Sequence, residues 1–252
     1  MVPEWATCFK AYRGVTRRSQ PLSHLSHNRR MDWQAARVSL WLALLTASAL
    51  LPVGVALARW LAVTSWRGKP VIEALLMLPL LLPPTVIGFY FLVALGQGSA
   101  LGMWLARHFD LRLVFTFQGL LAASLLVNLP FMVQPIQRTF AAIPTSLREA
   151  AWVSGLGSWA TFVKIELPLA WPGLLGGVAL TAAHTLGEFG VVLMVGGSIP
   201  GVTRTLSISI YDRVQAFDLA AAHIMALALV AFSLVAVALV FAADRRRPLQ
   251  DR

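Results

Sequence analysis

The chain contains five stretches free of Asp, Glu, Lys and Arg, each long enough to cross a lipid bilayer. They cover residues 38–58 (21 residues), 74–106 (33), 113–137 (25), 167–187 (21) and 219–243 (25). A hydrocarbon core about 30 Å thick needs about 20 apolar residues at about 1.5 Å of helical rise each, and every stretch meets that length. Membrane strands would show instead as shorter, alternating segments. Only 13% of the 252 residues are charged and 58% are hydrophobic, far from the charged share of a soluble domain, so a soluble enzyme is excluded. The expected fold is all-α: a polytopic membrane protein with about five transmembrane helices.

Chemistry carried by the chain itself is sparse. Cys8 is the single cysteine, so no internal disulfide forms, and no Cys/His cluster has zinc-ligand spacing. No catalytic residues and no metal site are expected. A Gly-x-x-x-x-Gly-Lys-Ser/Thr stretch is also missing, so the chain has no P-loop to cradle ATP phosphates.

The net charge of +10 divides unevenly. Residues 1–30 hold six cations and one acid, in a polar, Arg/Ser-rich segment without the apolar core of a secretory signal. This segment is expected to be a disordered extension or an overcalled start upstream of Met31, with the functional domain over 31–252. From Met31 onward the cations report topology rather than nucleic-acid binding. With the C-terminus inside, Arg59, Arg67, Lys69, Arg138, Arg148, Lys164, Arg245, Arg246, Arg247 and Arg252 face the cytoplasm, against Arg37, Arg107, Arg112, Arg204 and Arg213 outside. The N-terminus of the first span is then outside, and adding the tail reverses the asymmetry.

The spans differ in kind. The first, with only Pro52 and Gly54 inside it, is expected at the periphery. The second holds Pro79, Pro83 and Pro84 in its first half, each removing a backbone donor, so a bent or broken helix is expected, and Pro83, Pro84 and Thr85 become candidates for a solute path. The third repeats the theme at Asn128-Leu129-Pro130 and Gln134-Pro135. Glu188 is the one acid well inside an apolar run, with His184 one turn earlier on the same expected helix face. Intramembrane ionisable residues are functional candidates, so Asn128, His184 and Glu188 join the pathway or gate set.

Between the third and fourth spans, residues 143–172 are too polar to span and read as two short helices. Ser146 three residues before Glu149 has the form of a capping box, Gly155 and Gly157 supply a stop, and an amphipathic stretch from Trp159 to Leu167 ends against Pro168. Pro172 opens the next span.

Glu149-Ala150-Ala151, three residues, Gly155, nine residues, Ile165, one residue, Leu167-Pro168 resembles the cytoplasmic signature of ABC importer permeases. Leu78-Pro79, Leu82-Pro83-Pro84 with Gly88, Leu186-Gly187-Glu188-Phe189-Gly190 and Ile199-Pro200-Gly201 with Thr203-Arg204-Thr205 resemble the molybdate permease group in particular. The resemblance covers residues 32–247 and implies a type I ABC importer permease fold in a bacterial inner membrane. It implies a multi-pass subunit that works by alternating access, as a homodimer, with separate ABC ATPase subunits and a periplasmic or extracellular oxyanion-binding protein. Membrane lipid surrounds it and nucleic acid plays no part. The short helix would dock in a groove of the ATPase, with Ala150 and Ala151 allowing close approach and Gly155 turning the chain back. ATP and Mg would sit on that partner and no cofactor on this chain. Sulfate and tungstate permeases are similar through the Gly-Glu-Phe-Gly stretch, which leaves those ions as alternatives. A direct ligand role for Glu188 is disfavoured because its charge repels a doubly negative oxyanion. An ion-driven secondary transporter would need an inverted repeat and several midplane carboxylates, and a membrane scaffold would show no solute flux.

Overall fold

The computed structural model describes residues 31–245, and the reading of residues 1–30 lies outside them. Among the described residues every regular element is a helix. The first, α1 (Trp33–Val63), starts where Asp32 Oδ1 accepts the Ala35 N–H at 3.0 Å, satisfying one of the amides a helix start leaves unpaired. It outruns its charge-free stretch because Arg37 and Arg59 sit near its two ends. Pro52 lies inside without ending it.

The second stretch breaks as its prolines require. Helices α2 (Lys69–Leu81) and α3 (Pro84–Leu95) meet at 106°. Pro83 drives Leu82 out of the helical region, both residues are extended, and Pro84 suits the first turn of a new helix. After α4 (Ala100–Phe109) comes α5 (Phe117–Ala141), which carries Pro130 and Pro135 without interruption. The break expected in the third stretch is therefore absent, because α5 is packed along its length between neighbouring helices that hold its course.

The loop after α5 contains α6 (Thr145–Val153) and a helical segment α7 (Ser158–Leu169), whose middle is a π turn at Phe162–Glu166. A bend of 67° leads into α8 (Trp171–Gly187), with Pro172 in its first turn as expected. Three further helices follow among the described residues: α9 (Gly190–Gly196), α10 (Leu206–Gln215) and α11 (Leu219–Arg245). Each apolar stretch is thus helical. Two helices, α1 and α5, are individually long and apolar enough to cross a membrane, and the number rises to four if each bent pair counts as one span. Within α11, Leu219–Val235 is a shorter apolar helix.

Helices α1, α5 and α8 form the centre. A Cβ at Gly54 of α1 would lie 2.5 Å from Met132 Cγ, and one at Gly177 of α8 would lie 2.9 Å from the Met132 carbonyl oxygen. Small residues thus let both helices close on one residue of α5, the device by which membrane helices gain packing when no hydrophobic difference drives them together. Leu50, Leu61, Val133, Ile136 and Phe140 fill in around this contact. The first span is central within the chain, contrary to the expectation that it is peripheral, because Gly54 reads in sequence as a weak point and acts as a contact point.

A second cluster joins α3, α5 and α9 through Phe91, Ala123, Val127, Val191 and Val195. Gly88 sits so close to α9 that a Cβ there would lie 2.6 Å from Met194 Cβ.

The central contact makes a directional prediction. Gly54→Ala meets a flexible side chain, whereas Gly177→Ala meets a backbone oxygen that cannot turn aside. Overpacking of this kind costs about 1–3 kcal/mol. Gly177→Ala is expected to lower the melting temperature of purified protein more than Gly54→Ala does. Adding Met132→Ala should restore the Gly54 variant and leave the Gly177 variant impaired.

Candidate functional site

Two interruptions of the helical backbone meet in the fold. One is Leu82-Pro83, and the other is Glu188-Phe189, where α8 ends and α9 begins. Glu188 adopts an extended conformation immediately after the last turn of α8, so it does not continue the face of His184 as a helix would have it. A Cβ on Gly190 would lie 2.7 Å from Pro84 Cβ and 3.5 Å from the Thr85 amide nitrogen, so the start of α9 abuts the start of α3. Pro83, Pro84 and Thr85 are exposed at this junction.

Hydrogen bonds tie the junction to α5. Asn128, fully buried on α5, donates from Nδ2 to the Ser124 carbonyl at 2.9 Å, which turns its Oδ1 toward His184 Nδ1 at 3.1 Å. Nδ1 therefore carries the hydrogen. Phe131 stacks on the imidazole at 4.0 Å between centroids. His184 Nε2 then faces Glu188 Oε2 at 3.6 Å, a contact that is attractive only when a proton sits on one of the two. Glu188 Oε1 accepts the Val191 N–H at 3.0 Å, which caps α9, and the Glu188 carbonyl accepts from Ser207 Oγ at 2.7 Å. Oε1 is thus engaged within the chain, while Oε2 faces the imidazole.

The 143–172 loop has a different geometry. The capping box does not form: Pro144 occupies the cap position of α6 and no side chain caps it. At the other end the chain makes the expected stop. Gly155 takes φ +82°, its N–H bonds the Trp152 carbonyl, and the Leu156 N–H bonds the Ala151 carbonyl, both at 3.0 Å. That pair of bonds is the Schellman closure, which needs a residue free to adopt positive φ. The second helix runs through Pro168 instead of stopping before it. The π turn shifts the backbone pairing, with the Leu167 N–H bonding the Phe162 carbonyl five residues back, just before the proline removes a donor.

Of the signature residues, Glu149, Ala150, Gly155 and Pro168 are exposed, Ile165 and Leu167 half-buried, and Ala151 is buried within the chain. Of the two alanines expected to face a partner, Ala150 is exposed and Ala151 is turned into the chain's own packing. An Ala151→Asp change would disturb the loop's own packing. The exposed apolar surface comes instead from Trp152, Val153 (90% exposed) and Trp159 (75%) at the elbow between α6 and α7.

Residues 51–247 match the family described as the binding-protein-dependent transport system inner membrane component. The chain belongs to this family. It is the permease subunit of an ABC transporter, an inner membrane protein and not itself catalytic. Its relatives include the molybdenum transport system permease protein ModB of Azotobacter vinelandii, 46% identical over 85% of this chain and 95% of that protein. The sulfate transport system permease protein CysT of Escherichia coli K12 is 34% identical over 67% of this chain and 60% of that one. The fold is that of a bacterial alginate ABC transporter solved in complex with an alginate pentasaccharide-bound periplasmic protein, with a TM-score of 0.70 at 16% identity over 94% of this chain and 88% of that one.

Within the permease, the six pathway candidates fall in one neighbourhood, three of them linked directly as Asn128, His184 and Glu188. The sequence reading passed over Ser207, which binds the Glu188 carbonyl, and Ser39, which accepts the Leu206 N–H at 2.7 Å. It also passed over Glu166, buried to 1% exposure between two arginines. An acid placed directly before Leu167-Pro168, at the start of an apolar run, was the available signal.

The Schellman turn carries a prediction. A Cβ on Gly155 meets nothing within 4 Å, so the cost of a side chain is conformational alone, about 1 kcal/mol. Gly155→Ala should insert and accumulate normally while making the loop more sensitive to limited proteolysis. Gly155→Asn, tolerated at positive φ, should sit between it and the wild type.

Proposed function

We propose that the permease imports molybdate by alternating access, as a homodimer in a bacterial cytoplasmic membrane that it crosses several times. In this reading the N-terminus of α1 faces outward and the 143–172 loop inward, in keeping with the distribution of Lys and Arg. The observation that carries the substrate is the 46% identity to a molybdenum permease across 95% of its length, against 34% over 60% of the sulfate relative. Tungstate and sulfate are the alternative ions. A periplasmic binding protein delivers the oxyanion to the outer face.

The geometry supports a path built from neutral groups. The junction exposes Thr85 at the start of α3, where a helix N-terminus favours negative charge. Glu188 caps α9 through the Val191 amide and faces His184, and serves to hold the two breaks in register as part of a gate. Energy comes from ATP and Mg on separate ABC ATPase subunits, to which Glu149, Ala150, Gly155, Ile165, Leu167 and Pro168 and the buried Ala151 contribute a docking and coupling loop. Support for docking lies in Trp152, Val153 and Trp159, since apolar groups of this size left bare on a protruding loop mark a protein contact.

Uptake into proteoliposomes holding permease, ATPase and binding protein tests the reading, with tungstate and sulfate as competitors. Molybdate import inhibited by tungstate and little affected by excess sulfate is expected. Sulfate import as fast as molybdate import would replace the substrate. Glu188→Gln keeps an acceptor for the Val191 amide and removes the charge. It is expected to lower ions imported per ATP while the order of ion preference stays unchanged, and a reordered preference would make Glu188 a ligand instead of a gate residue.

A further inference from the structure

The cluster that no motif accounts for lies where the 143–172 loop meets the spans. Glu166, in the π turn of α7, accepts from Arg59 Nε of α1 at 2.5 Å and from Arg148 Nε of α6 at 2.7 Å. The carboxylate is 1% exposed and the Arg148 side chain 12%. Arg148 also donates from its terminal nitrogen to the Phe140 carbonyl at 3.0 Å, at the C-terminal end of α5, where a cation is favoured by the helix dipole. The Arg59 guanidinium lies 5.0 Å from the centre of the Phe162 ring, also in the π turn. The carboxylate therefore ties α1, α6 and α7 directly, and Arg148 extends the tie to the end of α5.

Apolar packing through Leu61, Phe140, Phe162 and Leu167 joins α7 to the ends of α1 and α5, but that cluster includes no residue of α6. Helix α6 packs chiefly against Ser158–Thr161. Between it and the end of α1 a cavity of about 450 Å³ is open, lined in part by Arg59, Val63, Thr145, Arg148, Trp152 and Glu166. The covalent route from α6 back to the membrane passes through Gly155, where a Cβ would meet nothing within 4 Å, so no side-chain packing braces the turn from outside. A buried carboxylate between two guanidinium groups behaves oppositely. Its bonds are short and directional, and separating them strands a charge in a poorly solvated place, so the joined elements keep their spacing.

We propose that Glu166 is the positioning residue that makes α6, α7 and the inner ends of α1 and α5 one rigid unit, so that displacement of α6 by an ATPase reaches the central bundle. This rests on the coupling role given to the loop above. The π turn has a part in it, since it sets the register that turns Glu166 toward both arginines.

The test uses the complete transporter, with Cys8→Ser as background and spin labels on Ser146→Cys of α6, an exposed position outside the Trp152–Trp159 elbow, and Val63→Cys of α1. In the otherwise wild-type protein the distance between labels is expected to stay within about 2 Å between nucleotide-free and ATP-bound states, well short of a one-turn shift of about 5.4 Å. In Glu166→Gln the distribution should broaden, ATPase copurification should persist, and ions imported per ATP should fall roughly tenfold, the effect of about 1.4 kcal/mol in coupling. Arg59→Gln leaves the Arg148 contact intact and cuts only the tie to α1. It should give the same kind of uncoupling and supplies the answer if the Glu166→Gln protein accumulates poorly. A wild-type label distance that changes by a helical turn with nucleotide, or either variant importing at the wild-type ratio with a narrow distribution, would overturn the proposal. The distance measurement needs the ATPase and nucleotide but no transported ion. A failure of molybdate as substrate therefore leaves it decisive, and failure of the ATPase to bind even the wild type overturns the coupling role and this inference with it.

Discussion

Met132 sits where three helices approach more closely than ordinary side chains allow. Gly54 of α1 and Gly177 of α8 close on it from two directions, and the rest of the central bundle follows from that spacing. In lipid, helices gain little from hiding apolar surface, so dense packing and satisfied polar groups carry the association. Once α1, α5 and α8 are fixed at this distance, α5 runs through two prolines without breaking. Asn128, a turn above Met132 on α5, comes within hydrogen-bonding distance of His184 on α8.

The polar network is the bundle's continuation by other means. Ser124, Asn128, His184, Glu188 and Ser207 pass hydrogen bonds and charge contacts from α5 through the end of α8 to α10, across the break that precedes α9. Interrupted helices leave backbone groups without partners, and at membrane depth each has to be met by protein. Glu188 meets one by capping α9. The same principle, a buried acid that holds separate elements in place, recurs at Glu166 at the opposite end of α8.

The sequence made plain what depends on local chemistry. Pro83 and Pro84 dictate a break at Leu82 whatever surrounds them, and Gly155 ends α6 because a positive φ there suits no other residue as well. The seven signature positions carry enough fixed spacing to point to the loop. Misreadings arose where an outcome depends on contacts between distant segments. Pro130 and Pro135 have the same local chemistry as Pro83, yet α5 stays whole because α1 and α8 flank it. Ser146 and Glu149 have capping-box spacing, but Pro144 takes the cap position. Gly54 lies in the span expected at the periphery, yet Met132, 78 positions later, fills its notch. The placing of Glu166 before an apolar run marks it as unusual, but its partners stand 107 and 18 residues away and do not show in the sequence.

The sharp turn after Leu82 bears on how the chain is made. A half-span such as α3 is too short to settle across a bilayer by its own hydrophobicity, and its packing surface is the notch at Gly88 against Met194 of α9. That partner is synthesised 106 residues later, when α4 through α8 have already emerged. During translation α3 therefore waits with its packing face uncovered, and the 106° corner is completed only as one of the last events of biogenesis. Assembly of the junction is tied in this way to arrival of the C-terminal third, so a chain truncated before Gly190 lacks the piece that closes the corner.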